Sequence, residues 1–147
     1  MSFFIPLFVR KAILNLWGCK IEGTIHGHTT ILSNKLSLGK QSFFNKNCFI
    51  GNGYDYVTIG SNCAIAYGVT ITTDNHIVTD EHRRGGQIYH KPVVIKDGCW
   101  IGCNVTILPG SIIEEGCVIA AGSVVNGILQ KNGLYAGIPA KLLKHLP

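Results

Sequence analysis

The chain has 147 residues, 46% hydrophobic and 14% charged, and 13 Lys and Arg against 8 Asp and Glu give it a net charge of +5. That length suits one domain, and the composition supplies ample core for a soluble chain. The positive balance is diffuse and contains no basic run, so it favours small anionic ligands and argues against nucleic acid.

Residues 1–20 read as a capping segment. Met1 to Trp17 is rich in Phe, Leu and Ile, but Arg10 and Lys11 interrupt it. The stretch is too short to span a bilayer and lacks a small-residue cleavage site. After Pro6, the apolar Leu7, Val9, Ile13, Leu14 and Trp17 line one face of a short helix. A cap on the first turn of a solenoid is one reading, and peripheral contact of residues 1–17 with a membrane surface is its competitor.

A period of six then takes over. Apolar residues fall at Leu38, Phe44 and Ile50, then at Ile59, Ile65 and Ile71, and again from Ile95 through Ile101, Ile107, Ile113, Ile119 and Val125. The interval from Ile71 to Ile95 is 24 residues, so the phase survives it. Six matches neither a helix nor an alternating strand. It predicts an all-β solenoid, a parallel β-helix whose triangular coils hold about 18 residues and stack at about 4.8 Å.

The other repeat positions agree. Counting the apolar residue as position one, position five is small: Ser42, Cys48, Cys63, Val69, Cys99, Val105, Ser111, Cys117 and Ser123. Position four is Gly or Asn in most coils, which suits a corner at positive φ. Leu108-Pro109-Gly110 carries the Pro-Gly pair of a type II turn. Four of the six cysteines sit at position five, where Cys serves as a small buried hydrophobe. No CxxC pair is present, and abundant unpaired thiols fit a reducing cytoplasm.

The β-helix is expected over residues 21–126. Gly53 to Tyr56 forms a small excursion, and a polar loop protrudes over about 74–92. Residues 127–137 are expected to turn away from the coils. Pro139 suits the first turn of a short C-terminal helix, Ala140 to Leu146.

Three stretches resemble the hexapeptide-repeat acyltransferases, most of all the galactoside and maltose type of sugar O-acetyltransferase, with the xenobiotic acetyltransferases as neighbours. They are Asn45 to Ile50 with Val57-Thr58-Ile59-Gly60; Val69 to His76; and Pro92 to Ile95 with Gly98-Cys99-Trp100-Ile101-Gly102, running on to Ala136-Gly137-Ile138-Pro139-Ala140-Lys141. The hexad reports only the fold. The Thr-x-x-x-His step, the Trp-Ile-Gly rung and the Ala-Gly-x-Pro-Ala exit narrow the function.

The resemblance implies a left-handed parallel β-helix, a homotrimer, and acetyl-CoA bound in clefts between neighbouring coils without a metal. It places the catalytic histidine at His76. A His is a natural general base near neutral pH, and transfer needs no covalent intermediate when acceptor and thioester are held together. Asn45 matches the position that contacts the acceptor sugar, against the plainer reading of a corner residue. Trp100 and Cys103 match the cofactor channel. Ala121 and Gly122 match backbone contacts along the pantetheine arm. Lys141 and Lys144 match basic positions suited to phosphate. Cys103 is also a conceivable nucleophile, but its place after Trp-Ile-Gly reads as channel lining.

Asn126-Gly127 stands where many sugar acetyltransferases carry Thr-Lys, with Lys131 as a substitute charge. The helical N-terminal segment that shapes the sugar pocket in the galactoside and maltose enzymes has no counterpart here, which points to a polysaccharide or glycoconjugate acceptor. Transfer to a nucleotide-linked amino sugar is the near alternative. A γ-type carbonic anhydrase shares the fold but needs an H-x4-H step, whereas His76 and His82 are H-x5-H. A non-catalytic assembly module is the remaining competitor.

Overall fold

A computed structural model describes residues 5–147, so the first four residues of the expected cap lie outside the described residues. Helix α1 (Leu7–Leu16) follows Pro6, whose missing N–H costs nothing at a helix start. Leu14 packs on the buried core. The Asn15 side chain exchanges two hydrogen bonds with the Ile21 backbone, at 2.7 and 3.0 Å. The described part of the segment thus lies against the first coil. Its outer side nevertheless shows Phe8 and Leu16, 74% and 88% exposed. Among the described residues, no helix is long and apolar enough to cross a membrane.

The rest is a left-handed parallel β-helix of short strands on three faces. Face A holds β1 (Lys20–Ile21), β4 (Leu36–Leu38), β7 (Val57–Ile59), β12 (Val93–Ile95), β15 (Ile112–Ile113) and β18 (Ile128–Leu129). Face B holds β2 (Thr24–Ile25), β5 (Phe43–Phe44), β8 (Ala64–Ile65), β13 (Trp100–Ile101), β16 (Val118–Ile119) and β19 (Gly133–Gly137). Face C holds β3 (Thr30–Ile31), β6 (Phe49–Gly51), β9 (Thr70–Thr72), β14 (Thr106–Ile107) and β17 (Val124–Val125). Each coil runs from A through B to C.

The interior is a set of columns. On face B, Phe44, Ile65, Ile101 and Ile119 are consecutive partners in register, and all are buried. Every position-five residue is buried beside such a column. These residues are more than small. Ser42 Oγ donates to the Gly60 carbonyl at 2.6 Å, and the Cys63, Cys99 and Cys117 thiols each lie 3.1 Å from a carbonyl of the next coil. Ser and Cys recur there because a weak donor of that size both fits the corner and meets a backbone acceptor. Burial raises the Cys48 and Cys117 thiols, which keeps them protonated and inert. At position four, Asn47, Asn62, Gly68, Gly98, Asn104, Gly110, Gly116 and Gly122 all turn at φ between 55 and 79°.

Two expectations fail at the C-terminal end. Residues 127–137 do not leave the solenoid. Ile128 and Leu129 pair in parallel with Ile112 and Ile113, and Tyr135 stacks inward on Ile119. The count missed this coil because the phase slips at Asn126-Gly127, so Leu129 follows Val125 after four residues. Nor is there a C-terminal helix. Residues Ala140–His145 form β20, antiparallel to β19. A six-residue helix barely repays its nucleation, whereas the free edge of face B offers every backbone group a partner.

Ile101 is fully enclosed in the middle of its column. Ile101→Ala should therefore destabilise the protein by about 2–5 kcal/mol, the range for a core cavity that neighbours cannot close. Thermal and urea denaturation beside the parent chain would read this.

Candidate active site

The loop expected over 74–92 is a β-hairpin, β10 (Asp74–Val78) with β11 (Gly85–His90). It leaves the solenoid after face C and returns at face A. Its root is fixed by Thr73, which is fully buried. Thr73 Oγ1 donates to the Gly51 carbonyl at 3.0 Å, and its own carbonyl accepts from the Lys91 amide at 2.9 Å. From this root β10 carries His76 into solvent.

His76 is oriented by its hairpin. Its amide donates to Asn75 Oδ1 at 2.8 Å, and its Nδ1 lies 2.8 Å from the Gly86 carbonyl oxygen. A carbonyl can only accept, so Nδ1 carries a proton, and in the neutral imidazole the lone pair is the one on Nε2. Gly86 has no room for a side chain, since a Cβ there would stand 3.0 Å from the Ile77 carbonyl and closer still to Thr79. An outward-facing imidazole locked in the Nε2-basic tautomer is equipped to take a proton from a hydroxyl.

A second feature lies at the corner between faces B and C. Ala66, Trp100, Gly102, Cys103, Ala121 and Leu134 line an open, mostly apolar groove of about 400 Å³. Its floor is a row of small residues just past the inward column of face B. Asn45, Ala66, Gly102 and Ala120 succeed one another there, each amide donating to the next coil at 2.9 Å. At Gly102 a Cβ would meet the Ala121 nitrogen at 2.6 Å and the Ile119 carbonyl at 2.7 Å. Only glycine lets those two coils approach.

The groove brings together Trp100, Cys103 and Ala121, with Gly122 beside them on the corner. Asn45 stands at the N-terminal end of the same row. Lys144 pairs with Leu134 and Lys141 with Ala136 across β19 and β20. Alternation puts both lysines on the face that Leu134 turns to the groove. His76 is not brought there, because its hairpin grows from the corner between faces C and A.

Sequence reasoning missed Ala66, Ala120 and the Gly86 carbonyl. The first two were findable, since position two is small or short in every B-face coil from Asn45 on. The third was not, because a backbone oxygen has no letter in the sequence.

Residues 92–127 match the family model described as bacterial transferase hexapeptide (six repeats). Over those residues the chain carries the bacterial transferase hexapeptide repeat. Galactoside O-acetyltransferase of Escherichia coli is 35% identical over 113 residues, covering 77% of this chain and 55% of that protein. A maltose O-acetyltransferase of Clostridium difficile superposes at a TM-score of 0.88 with 28% identity, over 99% of this chain and 79% of that one. A hexapeptide-repeat acetyltransferase of Vibrio cholerae, solved with acetyl coenzyme A, superposes at 0.84 with 29% identity, over 95% and 78%. The hexapeptide-repeat chain spans about half the length of the curated relatives it matches.

Gly102→Ala should cost about 1–3 kcal/mol, the usual penalty for overpacking against backbone that cannot move. Chemical denaturation of this variant beside Ala120→Gly, where no such contact is created, would check it.

Proposed function

We propose that the chain is an acetyl-CoA-dependent O-acetyltransferase acting on a carbohydrate hydroxyl, with His76 as general base. The observation that carries this reading is the Nδ1 contact to Gly86, which leaves Nε2 basic and outward. Nε2 takes the acceptor's proton as its oxygen attacks the thioester carbonyl. The carbon–sulfur bond then breaks, the acetyl ester forms, and the proton passes to the departing CoA sulfur. No enzyme-bound acyl group is needed, so Cys103 serves as lining.

The groove suits the donor. Its narrow apolar floor takes the pantetheine arm past Trp100, Cys103, Ala121 and Gly122, while Lys141 and Lys144 meet the phosphates as point charges. Asn45 offers its amide to an acceptor hydroxyl from the other end of the row. The exposure of His76 accommodates an acceptor that is part of a larger polysaccharide or glycoconjugate. Six free cysteines fit a cytoplasmic setting. The outward Phe8 and Leu16 favour peripheral contact with a membrane surface in addition.

A homotrimer completes the site. Within one chain, base and groove stand at different corners of the prism, so a neighbour's hairpin must reach this chain's groove. The outward column of Val94, Ile112 and Ile128 on face A supplies apolar surface for such packing.

His76→Ala should keep the fold and acetyl-CoA binding while lowering kcat by about 10²–10⁴-fold. Release of free CoA in the presence of sugars would measure this, and a fully active His76→Ala would sink the reading. Sharing of sites has its own test. His76→Ala and the groove-filling Ala121→Trp should each be inactive, yet randomly mixed trimers should regain about a quarter of the sites. Mixtures that stay inactive would place base and groove in one chain.

A further inference from the structure

The excursion between β6 and β7 is built with more care than a loop requires. Asn52 at its root is fully buried. Its Oδ1 accepts from the Leu32 and Ser33 amides at 3.2 and 3.0 Å, and its Nδ2 donates to the Ser33 carbonyl at 2.9 Å. Lys35 Nζ holds the Tyr54 carbonyl at 2.9 Å. From this frame Tyr54 lies flat against His90, with ring centroids 4.9 Å apart and planes 8° from parallel. Tyr54 is still 54% exposed, so its ring also faces water.

His90 ties that ring to the base. Asp74 pairs with His90 and His76 with Ile88, while Asn75 and Tyr89 form the intervening pair. Alternation therefore puts His76, Asp74, Ile88 and His90 on one face of the hairpin. His76 and the Asp74–His90 pair stand about 7 Å apart along it. The face thus runs from the basic nitrogen, past the Asp74 carboxylate, to a rigid aromatic plate.

We infer that Tyr54, with Asp74, forms a second sugar subsite, so that the preferred acceptor is an oligosaccharide at least two residues long. The inference rests on His76 acting on a carbohydrate hydroxyl. The chemistry is that of a pyranose: its C–H face covers an aromatic ring, and its rim hydroxyls donate to a carboxylate. The sugar being acetylated occupies the step beside His76, so a ring laid on Tyr54, which is itself stacked on His90 at the other end of that step, is its neighbour. A merely structural Tyr54 would staple the excursion to the hairpin and would treat short and long acceptors alike.

The test is binding and turnover of glucose, maltose and maltotriose by the full chain, as parent, Tyr54→Ala and Tyr54→Phe. In the parent, calorimetry should show maltose and maltotriose bound more tightly than glucose, and kcat/KM should follow the same order. Tyr54→Ala should cut the ratio of maltose to glucose, in affinity and in kcat/KM, by roughly two- to tenfold, the worth of one aromatic contact. Tyr54→Phe should retain it. An unchanged ratio with a lowered melting midpoint makes Tyr54 a staple and overturns the subsite. Affinity for UDP lost in place of maltose would assign the plate to a nucleobase and overturn it too. Length-dependent binding without CoA release from any sugar would instead sink the acetyl-transfer reading while leaving the subsite in place.

Discussion

The width of the prism governs this molecule. Three faces of mostly two or three residues enclose a narrow space, and Phe44, Ile65, Ile101 and Ile119 fill one column of it, one large side chain per coil. No strand this short persists alone. Each is held because its inward apolar residues stack on those below while its amides bond the coils above and below. A slip of one residue would turn the column outward and expose it. Register is therefore the quantity under tension throughout the chain, and the corner residues exist to preserve it.

That constraint divides labour among the corners. The corner between A and B is closed tightly by Ser42, Cys63, Cys99 and Cys117, whose side chains bond the next coil. The corner between B and C is shaved down to Ala66, Gly102 and Ala120, which leaves a groove along the axis. The corner between C and A takes the insertions, both the Tyr54 excursion and the hairpin with His76. Insertions are tolerated there because Asn52 and Thr73, both fully buried, clamp their roots to the coil backbone. Each inserted loop leaves the coil only after the phase has been secured.

Much of this was legible beforehand. The hexad gave the coils from Leu38 to Val125, the positive-φ corners and the place of the break. It failed where its own rule is locally broken. The slip at Asn126-Gly127 concealed the last coil, and the Pro139 signal suggested a helix where an unpaired sheet edge claimed the segment as β20. In both places a tertiary partner outweighed a local preference. The position-five cysteines were read correctly as buried but not as donors, because burial follows from periodicity and hydrogen bonding does not.

The sequence by itself determined the architecture, since a period of six with one small corner position admits few backbones that bury its apolar set. It also marked His76, Trp100 and the terminal lysines through their motif context. What only the tertiary structure decided is how these residues relate. The tautomer of His76 depends on a carbonyl ten residues away, fixed by the hairpin register. The union of Ala66, Cys103 and Ala121 in one groove depends on stacking of residues a coil or more apart in sequence. The separation of His76 from the groove depends on which corner each one leaves. These are through-space facts of a closed coil, and a one-dimensional pattern carries the period but not the geometry around the axis.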